Sequence, residues 1–105
     1  MKKLKTRILS FRDSRNWKQF HTPENLAKSI SIEAAELLEN FQWDSKDYDI
    51  ENIKDELADI MTYVILFADY FDFDLEQIVL EKLKKNEEKY PVSKAYGKST
   101  KYNKL

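Results

Sequence analysis

The sequence predicts an all-α fold, a bundle of four helices, and three observations carry that prediction. One glycine (Gly97) and two prolines (Pro23 and Pro91) in 105 residues leave little material for the tight turns of sandwiches, barrels and glycine-rich phosphate loops. Apolar residues recur with helical period along most of the chain. Capping residues stand where periodic segments begin. The length suits one domain with one modest core and is too short for two.

Leu4, Ile8 and Phe11 recur at i, i+4 and i+7, which predicts a first amphipathic helix over Lys2 to Ser14 with its basic residues outside. Asn16 to His21 follows as a ring-rich connector carrying Trp17, Phe20 and His21. Thr22 offers an N-cap oxygen, Pro23 suits the first helical position and Glu24 the dipole, so a second helix should run from Pro23 to about Phe41. Asp44 to Asp49 reads as a polar loop. A third helix follows from about Ile50 to Tyr70, with Ile53, Leu57, Ile60, Val64, Phe67 and Phe71 as its main stripe. From Ile60 to Ala68 it is apolar nearly all round, and three other short helices can hardly cover every side of it. A homo-oligomer is therefore expected. Asp74 caps a fourth helix, about Leu75 to Lys89, stopped by Tyr90-Pro91. The chain reads as one domain, residues 1–93, and a polar, basic tail, residues 94–105.

Composition then excludes several chemistries. With no Cys there is no disulfide, thiol nucleophile or thiolate metal site, and a single His rules out poly-histidine sites within a subunit. Any metal must be held by oxygen. Residues 1–93 carry 14 basic and 19 acidic side chains, whereas 94–105 carry four Lys and no acid, so no broad basic face for a nucleic-acid polymer is indicated. The longest strongly apolar run, Ile60 to Ala68, is about half of a bilayer span, and the N-terminus lacks an apolar signal-peptide core. The expectation is a soluble, cytoplasmic protein with no membrane partner.

Charged residues interrupt the apolar pattern in two places. On a helical wheel, Leu26, Ile30, Leu37 and Phe41 share one narrow face of the second helix. Glu33 falls in its centre and Glu36 at its border. On the third helix Glu56 and Asp59 repeat the i, i+3 spacing and flank the stripe of Ile53, Leu57 and Ile60. Facing helices would then offer four carboxylates to one space, where they repel and raise one another's pKa unless a cation neutralises them. All-oxygen ligation suits Mg²⁺ or Mn²⁺ rather than zinc. The bland alternative is solvated flanks paired with Lys on neighbouring helices.

On the fourth helix Leu75 and Val79 define an inward direction, with Lys82 and Asn86 on that line. These two can meet a phosphate and a second polar group, or Lys82 can snorkel to solvent. Tyr63, two turns after Glu56, either points its hydroxyl into the same cavity or packs in the core. Trp17 and Trp43 bracket the second helix, where they either stack on a base or plug the bundle's ends. His21 taken alone reads as a satisfied polar contact or helix-start partner.

Glu33-Ala34-Ala35-Glu36, followed after nineteen residues by Glu56-Leu57-Ala58-Asp59, resembles the second half of the EExxE…ExxD signature of the all-α nucleotide pyrophosphohydrolases, the MazG-like superfamily. Ile32 replaces the first Glu of that signature. The resemblance is closest to the dCTP pyrophosphatase branch and covers almost the whole chain. It runs through Arg15-Asn16-Trp17-Lys18-Gln19-Phe20-His21, Asn25-Leu26, Glu36-Leu37 with Phe41-Gln42-Trp43, Asp55 to Asp59, Lys82 and Asn86 with Tyr90-Pro91, and Lys101-Tyr102.

The resemblance implies a four-helix MazG-like bundle that hydrolyses a nucleoside triphosphate to the monophosphate and pyrophosphate. It implies Glu33, Glu36, Glu56 and Asp59 as Mg²⁺ ligands, and Trp17 and Trp43 in a base pocket with His21 nearby. Tyr63, Lys82 and Asn86 would contact sugar or phosphates. It also implies homodimers or homotetramers with sites near subunit interfaces, and a house-cleaning role on dCTP-like or modified pyrimidine nucleotides. Ile8 stands where relatives can carry a polar pocket residue, which leaves base preference open.

A triphosphate carries about four negative charges and four carboxylates bring as many, so more than one cation is expected to orient the phosphates and activate water for in-line attack at the α-phosphorus. Either Glu33 or Glu36 could take the water's proton. Lys82, with tail lysines such as Lys98 or Lys101, would stabilise the leaving pyrophosphate. The competing class is a non-catalytic helical oligomerisation or interaction module whose acids decorate the surface. A di-iron bundle fails for want of Glu-x-x-His pairs. An EF-hand over Asp44 to Asp55 fails because Lys46 stands at a ligand position and the turn has no glycine.

Overall fold

The computed structural model describes residues 1–43 and 47–105, all helices, turns and connections with no strand among them. The helices are α1 (Lys2–Ser14), α2 (Pro23–Glu39), α3 (Ile50–Tyr70), α4 (Leu75–Lys89) and the short α5 (Val92–Ala95). Single 3₁₀ turns occupy Lys18–Phe20 and Tyr102–Lys104. The chain groups into two compact units, Met1–Phe73 and Asp74–Leu105.

In the first unit, α3 is the central element and packs against both α2 and α1. Its core is Ile8 from α1, Leu26 from α2, only 1% exposed, and Ile65, Leu66 and Ala68 from α3. The sequence stripe is thus only partly right. Ile53, Ile60, Val64 and Phe67 are half-buried, whereas Leu57 is 58% exposed and Phe71 is exposed too. A segment apolar all round cannot rank its own faces by periodicity; the packing of α1 and α2 does so, and it selects Ile65, Leu66 and Ala68.

The starts of α2 and α3 each have a local cause. Thr22 Oγ1 accepts from the Asn25 N–H at 3.2 Å, with Pro23 at the first helical position. Asp49 Oδ1 accepts from the N–H groups of Glu51 (3.0 Å) and Asn52 (3.2 Å). The end of α2 falls at Glu39, two residues before the expected Phe41. There Asn40 turns its amide back, donating to the carbonyls of Glu36 (3.4 Å) and Leu37 (3.2 Å). Of the polar loop expected over Asp44 to Asp49, Asp44, Ser45 and Lys46 lie outside the described residues.

The scarcity of glycine does not prevent sharp helix ends. After α1, Asn16 takes φ 55°, and the N–H groups of Asn16 and Trp17 bond to the carbonyls of Asp13 (3.1 Å) and Arg12 (3.1 Å). After α3, Asp72 takes φ 56°, with Asp72 N–H on Asp69 O (3.0 Å) and Phe73 N–H on Ala68 O (2.9 Å). Both are Schellman caps in which Asn or Asp fills the left-handed position that glycine usually takes. Trp17 completes the first by setting its ring edge-on to Phe11, centroids 5.6 Å apart. Phe73 completes the second by stacking on Phe71 at 5.2 Å and 14°.

The second unit begins where Asp74 Oδ1 accepts from the Gln77 N–H at 3.1 Å and starts α4. No residue of α4 is fully buried. Leu75 and Asn86 are half-buried, while Val79 and Lys82 are exposed, so the inward line expected from Leu75 and Val79 is not sealed within this unit. The tail has more structure than its polar composition suggests. Tyr102 meets Tyr90 edge-on at 6.1 Å, with Lys89 Nζ 4.8 Å over its ring, and Gly97 at φ 73° makes the bend after α5.

Candidate functional site

The i, i+3 spacing on α2 and α3 brings their acids to one place. Glu33, Glu56 and Asp59 each offer a carboxylate oxygen within 4.8 Å of the others. Glu36 lines the adjoining cleft together with Glu56 and bears on Glu33 by hydrogen bonding and charge. Ile32, in place of the signature's first acid, is exposed.

The electrostatics are those of like charges partly taken out of water. Glu33 is pushed up to about 7, first by burial, then by hydrogen bonds with Glu56 and Glu36, then by the charges of Glu36 and Asp59. For Glu56 the largest influence, the hydrogen bond with Glu33, favours the charged form. Burial, Glu36 and Asp59 together outweigh it, and its pKa rises. Both acids therefore bind a proton more readily than a free carboxylate does. Glu56 is half-buried as a residue, but its Oε2 is sealed from solvent and has no hydrogen-bond partner.

These features fit a divalent cation. Buried oxygens are ordinarily satisfied, and one left bare beside two further carboxylates leaves an atom that a cation could take as a ligand. The donor set is all oxygen, as hard Mg²⁺ or Mn²⁺ requires.

The other expected residues are distributed as follows. Tyr63 is half-buried on α3, within the same unit as the acids. His21 is half-buried, with its Nδ1 sealed and unpartnered; burial first, and Arg12 second, push its imidazolium pKa down, which keeps the ring neutral near pH 7. Trp17 caps α1, and Trp43, 89% exposed, follows α2. The 17 residues of α2, about 25 Å at 1.5 Å per residue, separate the two indoles within one chain. Lys82 and Asn86 belong to the second unit.

Sequence reading missed three lining residues. Glu39, Asn40 and Asn52 share with Glu36 and Glu56 a cleft of about 350 Å³. The available signal was spacing, since Asn40 lies four residues after Glu36 and Asn52 four before Glu56.

Comparison with known proteins places this geometry in context. A family model, that of the MazG-like family, matches residues 28–105. The chain is 34% identical to mouse dCTP pyrophosphatase 1 over 104 residues, covering 90% of this chain and 61% of the relative. The human protein of the same name is 33% identical with the same coverage. The chain thus spans about three-fifths of the length of these curated relatives. Among solved structures, a pyrophosphatase from Archaeoglobus fulgidus superimposes with a TM-score of 0.77 at 39% identity, covering 87% of this chain and 92% of that one.

Proposed function

The chain belongs to the MazG-like family, and from that premise we propose that it hydrolyses a nucleoside triphosphate, dCTP or a modified pyrimidine deoxynucleotide, to the monophosphate and pyrophosphate. One observation carries the reading: carboxylates from two helices converge around a sealed, unpartnered Glu56 oxygen, an arrangement that is costly unless a cation completes it. The names of the relatives, dCTP pyrophosphatase 1 and a pyrophosphatase, support the substrate class.

Glu33, Glu36, Glu56 and Asp59 would hold Mg²⁺ or Mn²⁺. When bound, the cations neutralise charge on carboxylates and polyphosphate and polarise the phosphoryl group and the attacking water. Water oxygen bonds to the α-phosphorus as the bridge to the β-phosphorus breaks, and pyrophosphate leaves with the bridging oxygen. Either Glu33 or Glu36 would take the water's proton. Neutral His21 and Tyr63 are assigned to substrate contacts, as are Lys82 and Asn86 on the family resemblance. Proximity and in-line orientation supply the remaining acceleration.

A homodimer or homotetramer is part of the proposal. Trp17 and Trp43 are too far apart within one chain to hold the same base, so a base pocket containing both draws them from different copies. Exposed Leu57 and Met61 on α3 give a second copy apolar surface to cover.

The test is a panel of canonical and modified NTPs and dNTPs with Mg²⁺, scored for monophosphate plus pyrophosphate and repeated with EDTA. Mg²⁺-dependent release of pyrophosphate is expected, highest among pyrimidine deoxynucleotides. Turnover of none by a demonstrably folded protein overturns the reading.

A further inference from the structure

The connector after α1 carries an exposed tryptophan on a frame that leaves it little freedom. The Trp17 N–H donates to Arg12 O (3.1 Å), and the Trp17 carbonyl accepts from the Phe20 N–H (2.9 Å). One residue earlier, Asn16 is fixed in the left-handed region at φ 55°, and its carbonyl accepts from Gln19 Nε2 (2.9 Å). With the backbone committed on both sides, only the side-chain torsions of Trp17 remain free.

Two neighbours restrain those torsions, Phe11 near the end of α1 and Arg15 just after it. Phe11 meets the indole edge-on, centroids 5.6 Å apart at 81°. Arg15 sets its Cζ 3.8 Å over the Phe11 ring and 6.0 Å from that of Trp17. An exposed arginine ordinarily samples many rotamers. This one is held by its Nη1, which donates to Phe11 O (3.0 Å) and Ser14 Oγ (3.1 Å), and it makes no ion pair among the described residues that would draw it off the rings.

The matching cap after α3 lacks this clamp. There Phe73 and Phe71 stack on each other, and among the described residues no cation lies over either ring. An apolar contact is enough to close a Schellman cap, so the guanidinium at the first cap exceeds what the turn requires. Phe11 covers at most one face of the indole, and Trp17 stays 44% exposed.

We infer that Phe11 and Arg15 are positioning residues that hold the Trp17 indole rigid as a platform for the nucleobase. The inference rests on the hydrolase reading above, in which Trp17 belongs to the base pocket. A ring already fixed loses little conformational freedom when a base stacks on it, which raises affinity for the base and leaves the phosphate chemistry untouched. Phe11 is the lateral wall. The planar cation of Arg15 lies over that wall and ties it to the end of α1, a task that depends on the flat guanidinium fork.

The experiment measures kcat and KM for dCTP with Mg²⁺, and inhibition constants for dCMP and pyrophosphate, in the wild type, Phe11→Leu, Phe11→Tyr and Arg15→Met. Phe11→Leu should raise KM for dCTP and the dCMP inhibition constant about fivefold, while kcat and the pyrophosphate constant stay close to wild type. Arg15→Met, at an exposed position, keeps the stem, loses the planar cation and should act in the same direction by about twofold. Phe11→Tyr retains the ring and should restore the wild-type constants, its hydroxyl reaching solvent from a side chain 51% exposed. Time-resolved fluorescence anisotropy of Trp17, recorded in a Trp43→Phe background, should show wider ring motion in Phe11→Leu and Arg15→Met and none added in Phe11→Tyr. Equal losses for dCMP and pyrophosphate, constants unchanged in both Phe11→Leu and Arg15→Met, or an indole as mobile in the wild type as in those variants overturns the inference while hydrolysis stands. Absence of turnover with any nucleotide removes the hydrolase reading and this inference with it.

Discussion

Two clusters of charge bear on α3, and they are built on opposite principles. Toward its end, Arg12, whose side chain is 7% exposed, donates from Nε to Asp13 (2.8 Å) and from Nη1 to Asp69 (2.9 Å), and Lys5 Nζ lies 3.8 Å from Asp69. Two cations meet two anions, and Asp13 chiefly, then Asp69, raise the Arg12 pKa further against the opposing effect of burial. One helix half away, Glu33, Glu36, Glu56 and Asp59 pair with no Lys or Arg among the described residues. Charge that serves the fold is neutralised within the fold. At the acids the charge is left unbalanced, and the proton affinity of Glu33 rises in response.

The sharpest way to break the contrast is to remove one charge from each cluster. Asp59→Asn should lower Mg²⁺-dependent turnover by about 10³-fold, on the order of 4 kcal/mol of transition-state stabilisation. The metal-free melting temperature should meanwhile hold or rise, because a like charge is gone. Arg12→Leu should do the reverse, costing about 3 kcal/mol of stability by leaving Asp69 without its main partner. Thermal melts and steady-state assays on both variants check the pair. A drop in melting temperature for Asp59→Asn equal to that of Arg12→Leu would make the acids structural.

How far these clusters could be read from sequence differs for physical reasons. The acids were legible because Glu33 sits among Leu26, Ile30 and Leu37 on one helical face, and a charge at that position needs a cause. Helix starts at Thr22 and Asp74 were equally readable where a local side chain decides them. Arg12 was not, since its partner Asp69 is 57 residues away and basic residues on an amphipathic helix ordinarily face water. Asn40 escaped because its bonds depend on where α2 ends. Leu57 was placed inward because periodicity describes one helix and cannot tell which face its neighbours reach.

A smaller effect follows from the proton on Glu33. Its affinity rises from 4.5 to about 7 on folding, so between those values the folded chain binds more protons than the unfolded one. The stabilisation is complete below about pH 4.5 and is lost as pH rises through 7. In EDTA the melting temperature should therefore fall by a few °C, as an order of magnitude, across that window from this group. Glu33→Gln should flatten that part of the profile. Saturating Mg²⁺ should flatten it from the other side, by binding the charged form that the proton opposes. A metal-free profile that Glu33→Gln leaves unchanged would mean that Glu33 ionises as freely as a surface acid.

The smallest effect lies at the end of α3, just beyond the satisfied cluster. Asp72 holds φ 56° at the position where a Schellman cap favours glycine, and its carboxylate also stands at the negative end of the α3 dipole. Asp72→Gly relieves both the left-handed strain and the charge repulsion, while the freer glycine costs some unfolded-state entropy. The balance should be a gain of about 0.5 kcal/mol. Asn16→Gly, at φ 55° after α1, lacks the charge and should gain less. The difference between the two variants in a denaturant melt therefore isolates the electrostatic share. If Asp72→Gly gains no more than Asn16→Gly, the Asp72 carboxylate is solvated well enough not to feel the helix end, and charge near α3 matters only where burial enforces it.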